Sequence, residues 1–85
     1  MQIDAVACRM GRACLDWTQA RLAREARVAL GVIVHFESGA SRPHRNNLRE
    51  ITLIFEAAGV VFVVQDDGRI LVGPPLPVPT AIVAD

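Results

Sequence analysis

The stretch WTQARLAREARVALGVIVHFESG, residues 17–39, constrains the fold more than any other part of the chain. Leu22, Ala23 and Ala26 recur at three- and four-residue steps, with Gln19, Arg21, Arg24 and Glu25 between them. That spacing predicts a helix with one apolar side, running to Glu25 or Ala26. Thr18 suits its N-cap, because a hydroxyl there can accept from a first-turn N–H. A three-residue corner, Arg27-Val28-Ala29, follows, with Val28 as its apolar plug. A second short helix is expected over 30–37, with Ile33 and Phe36 inward, and Gly39 supplies the left-handed stop.

The flanks extend this unit. Residues 3–15 fit an earlier helix whose apolar stripe is Ile3, Val6, Ala7, Met10, Ala13 and Cys14. Gly11 weakens it by up to about 1 kcal/mol relative to Ala. Trp17, the single tryptophan, is expected to plug the core. Residues 38–43 have loop chemistry, and Pro43 cannot sit inside a helix. Asn46 or Asn47 is expected to cap a fourth helix reaching Ala58, with Leu48, Ile51, Leu53 or Ile54, Phe55 and Ala58 inward and Gly59 as its stop.

The pattern then changes. VVFVV, residues 60–64, reads as a strand, QDDG as a hairpin turn and residues 69–72 as the return strand. Two strands alone are marginal and leave edges unpaired. The hairpin is therefore expected either to pair with the same hairpin of a second subunit, through Val61, Val63, Ile70 and Val72, or to pack flat on the helices. The tail 74–85 holds four of the five prolines and reads as extended or mobile. The expected fold is mainly α, four helices followed by a β hairpin. The expected units are 1–59 for the helices, 60–73 for the hairpin as a dimerisation element, and 74–85 for the tail.

Composition narrows the function. Hydrophobic content of 52% with 21% charged residues fits a folded globule. No apolar run reaches the roughly 18 residues of a membrane span, and the first residues do not resemble a signal peptide, so a cytoplasmic protein is expected. Net charge is zero but uneven: residues 1–50 carry +3 and residues 51–85 carry −3. An anion would suit the first part. All nine cations are Arg, which fits bidentate phosphate contact, and a coding bias explains it equally well. Cys8 and Cys14 stand about 240° apart on a helix, so they read as small apolar residues, not as a metal clamp or a bridge. His35 and His44 add no ligand spacing. No phosphate loop, nucleophile–base pair or paired carboxylates stand out. No catalytic residue, metal or cofactor is expected, and an enzyme is not.

W-T-Q-x-x-L-A-x-x-A-x-V-x-x-x-x-I-x-x-F-E-x-G, then Arg42-Pro43 and N-N-L-R-E-I at 46–51, resembles the phage-repressor (Cro/C-repressor, xenobiotic-response-element) family of helix-turn-helix regulators. The likeness covers about residues 5–72, and E-A-A-G-V before the hairpin resembles one bacterial subgroup of it. The resemblance implies a lambda-repressor-like domain that binds double-stranded operator DNA as a homodimer, on two-fold related half-sites, usually to repress transcription. It implies backbone contacts from Thr18, Gln19, Arg42, Arg45, Asn46 and Asn47, which set register without reading sequence. It places Ala29, Leu30, Gly31, Val32, Val34 and His35 at the bases in the major groove.

The base-reading set departs from the family pattern, which favours Ser, Arg, Gln or Thr. Only His35 offers a side-chain hydrogen bond, while Leu30, Val32 and Val34 suit thymine methyls. Arg27 stands where the family often has Gly, and either strains the corner or reaches DNA as a substitute reader. Glu37 is expected to be structural, reaching Arg42 or a loop N–H. Two other uses of the scaffold stay open. One is a protein-interaction module such as an anti-activator. The other is an antitoxin-like protein whose Pro-rich tail takes a protein partner.

Overall fold

The structure is a computed structural model, and it describes residues 3–75. The expected extended tail falls mainly on 76–85, outside the described residues. Within them, four helices precede a two-stranded antiparallel hairpin. No helix there is long and apolar enough to cross a membrane.

Helix α1 spans Ala5–Leu15. Asp4 caps it, its carboxylate accepting the Ala7 N–H at 2.7 Å. Ile3 lies outside the helix and is nevertheless fully buried, in the position of a hydrophobic staple. The expected stripe is rotated. Ala7, Cys8 and Gly11 face the core, whereas Val6, Met10 and Ala13 are exposed. The cause is Phe55: a Cβ added at Gly11 would stand 3.0 Å from its ring. The helix turns its smallest side to the largest core residue, and Gly11 permits that approach.

Helix α2 spans Gln19–Ala26 and α3 spans Leu30–Glu37. The Thr18 hydroxyl accepts the Arg21 N–H at 2.9 Å, as expected of that cap. Leu22, Ala23, Ala26, Ile33 and Phe36 are buried, and Gly39 takes φ +82° after α3. Helix α4 spans Arg45–Ala57, so neither Asn46 nor Asn47 is its cap. His44 caps it instead, its Nδ1 accepting the Asn46 N–H at 3.2 Å. Leu53 is exposed and Ile54 takes the half-buried place.

Strands β1, Val61–Val64, and β2, Ile70–Gly73, pair with Val61 opposite Gly73 and Val64 opposite Ile70. Each strand starts one residue later than the sequence suggested. Val60 is buried before the hairpin, and Arg69 stays in the turn, its N–H and guanidinium both held by the Asp67 carboxylate. The hairpin packs on the helices, as one of the expected placements has it: β2 runs by α1, and Phe62, Ile70 and Val72 close the core. Phe55 is the hub, stacked with Trp17 at 6.3 Å and met edge-on by Phe62 at 5.8 Å.

Candidate nucleic-acid interface

The back of α3 is held by an ion cluster. Glu37 follows Ile33 by one helical turn and is 3% exposed. Arg12 grips its carboxylate with two 2.7 Å bonds and also donates to the Trp17 carbonyl at 2.9 Å. The Gln19 amide donates to the same carboxylate at 3.0 Å, and the Cys8 thiol at 3.1 Å. Arg9 donates to the Glu37 backbone carbonyl. These bonds fix the end of α3 to α1 and to the first residue of α2. Burial by itself raises the Glu37 pKa, but the bonds from Arg12, Cys8 and Gln19 outweigh it and hold the carboxyl below its ordinary range. Burial first, then Glu37, pushes the Cys8 thiol far up, so it stays an S–H donor. Glu37 is structural, as the sequence suggested, but its carboxylate serves α1 and α2.

The corner before α3 is strained. Arg27 lies in the left-handed region at φ 59°, and the Val28 N–H returns to the Ala23 carbonyl at 3.0 Å. A side chain there costs about 1 kcal/mol or more relative to glycine. Relief of that strain exceeds the extra freedom glycine gives the unfolded chain, so Arg27→Gly is expected to stabilise the fold by about 0.5 kcal/mol, read from the urea midpoint. An unchanged or lower midpoint would show that the Arg27 side chain contributes contacts that offset the strain.

The front of α3 is open. Leu30 and Val34, one turn apart, are 47% and 37% exposed. Gly31 and His35 form a second exposed pair beside them, and Ala29 precedes them, exposed. Val32 differs from the expected set: it turns to the flank and is half-buried. Ala29 gives α3 no side-chain cap.

The predicted backbone-contact residues lie on three elements. Thr18 and Gln19 begin α2, with the Thr18 hydroxyl engaged in capping and the Gln19 amide engaged by Glu37. Arg42 is exposed in the loop, and Arg45 and Asn46 are exposed in the first turn of α4. Asn47 is half-buried and lines a groove of about 590 Å³ with Glu25, Ala26, Arg27, Glu50 and Ile54. This groove brings Arg27 and Asn47 together, but its two carboxylates oppose a phosphate inside it. Among the described residues no set of three His, Cys, Asp or Glu side chains gathers to hold a metal ion.

The proposed dimer residues divide between two faces. Val61 and Val63 are exposed, together with Val64 and Leu71. Ile70 and Val72 pack against the core, so they do not share an open face with the valines. The register explains it: Val72 lies opposite Phe62, which faces the helices, while Leu71 lies opposite Val63. Sequence reasoning missed the Arg12–Glu37–Gln19 cluster. The usable signal was a carboxylate one turn after inward Ile33, which demands a buried donor. Compared with known proteins, the chain matches no family model and no curated protein sequence.

Proposed function

We propose that this chain is a helix-turn-helix regulator that binds double-stranded DNA in a sequence-dependent way as a homodimer, with α3 in the major groove. A repressor is the favoured outcome. The observation that carries the reading is the two-sidedness of α3. Its back is fixed by Ile33, Phe36 and the buried Glu37, while its front from Ala29 to His35 is largely open. Such a rigid rod beside an α2 start and an Arg-bearing α4 start suits a groove flanked by phosphates. Val61, Val63 and Leu71 offer an apolar face for the second protomer.

A second reading is a protein-interaction module. It draws on the exposed Leu30 and Val34, since apolar side chains on an open helix face also suit a protein surface. Selection of the full chain against random duplexes separates the two. The DNA reading predicts enrichment of two related half-sites about one helical turn apart. A pool that stays random after repeated selection at low salt contradicts it.

A further inference from the structure

We propose that the front of α3 selects DNA by the C5-methyl groups of thymines in the major groove; this rests on the DNA-binding reading above. Leu30 and Val34 share one exposed stripe, and on it only His35 carries a hydrogen-bonding side chain. The other major-groove groups are donors and acceptors, and the thymine methyl is the apolar one. A base edge such as guanine O6 or cytosine N4 pressed against Leu30 would lose water and gain no partner. A methyl placed there gains contact. Preference therefore arises as much from rejecting polar edges as from attracting methyls.

Gly31 supports close approach. A Cβ built there meets nothing within 4 Å, so packing inside the protein does not require glycine. Glycine also disfavours the helix. Its effect at this exposed position is to thin the α3 surface between Leu30 and His35, letting the backbone come nearer to base edges. The occupant is a duplex and not an apolar protein surface because an exposed cation follows the stripe in the chain: Arg45, in the first turn of α4. A phosphate complements it, whereas an apolar partner does not.

The test takes the duplex enriched by the full chain and replaces each thymine by uracil, one at a time. That change removes a methyl and keeps the hydrogen-bonding edges. Affinity is expected to fall about fourfold at each contacted thymine. In Leu30→Ala or Val34→Ala the same replacement is expected to have little further effect, because the methyl's partner is already gone. Both side chains are part-exposed, and circular dichroism melts check that the variants stay folded. If every uracil duplex binds like its parent, methyl selection is overturned while DNA binding stands. If the chain binds no duplex but captures an apolar peptide through Leu30 and Val34, both readings are overturned.

Discussion

Replacing Glu37 by alanine is expected to lower the free energy of unfolding by about 3–5 kcal/mol. That is a large share of the roughly 5–15 kcal/mol that holds a domain together. The side chain of Glu37 is 2% exposed and that of Arg12 20% exposed, so their pairing is shielded from water. Removing the carboxylate leaves the Arg12 guanidinium without its counter-charge and the Gln19 amide and Cys8 thiol without their acceptor. Desolvating a paired cluster is costly too, so the pair need not be better than apolar residues of the same volume. Arg12→Met with Glu37→Met should therefore cost less than the two single changes added together. The same cluster sets a pH dependence. A folded carboxyl held below its ordinary range contributes stability above the unfolded value, about 4.3, and that contribution is lost as pH falls through the folded value. Urea midpoints at neutral and acid pH measure both effects. A Glu37→Ala loss under about 1 kcal/mol would show that the cluster does not hold α3.

The second large effect concerns DNA. With Arg42 and Arg45 meeting phosphates in both protomers, about four counter-ions leave on binding, and affinity should fall roughly a hundredfold between about 50 and 200 mM salt. Arg45→Ala should weaken every duplex by a similar factor and reduce the slope of log affinity against log salt by about two per dimer. Arg45 is exposed in the first turn of α4, so the fold should survive the change. A uniform loss marks a backbone contact, whereas a loss confined to some sequences would mark a base contact. A salt-independent affinity would mean that the arginines do not meet phosphate.

The segment from Thr18 to Gly39 was legible because its signals are local. The Thr18 cap, the spacing of Leu22, Ala23 and Ala26, and the stop at Gly39 each act within a few residues. What depended on distant partners was not legible. The rotation of α1 is decided by Phe55 lying against Gly11, more than forty residues away in the chain. The cap of α4 fell to His44, a residue type whose ring nitrogen serves only when its tautomer permits. On the hairpin, alternation gave two faces, and only the pairing register decided that Ile70 and Val72 belong with the core. At the candidate site Leu30, Gly31, Val34 and His35 followed from the family resemblance, which also named Val32; the first four are exposed and Val32 turns to the flank. The carboxylate behind them was readable only as structural, since its partners sit on α1 and α2.

On the proposed reading, the front of α3 is the surface that meets DNA. Amide NMR of the labelled full chain, titrated with its enriched duplex, tests it most directly. Shifts are expected at Ala29, Leu30, Gly31, Val34 and His35, joined by Gln19, Arg45 and Asn46, with Leu53 unmoved. Shifts confined to the hairpin, or a spectrum that the duplex leaves unchanged, would contradict it.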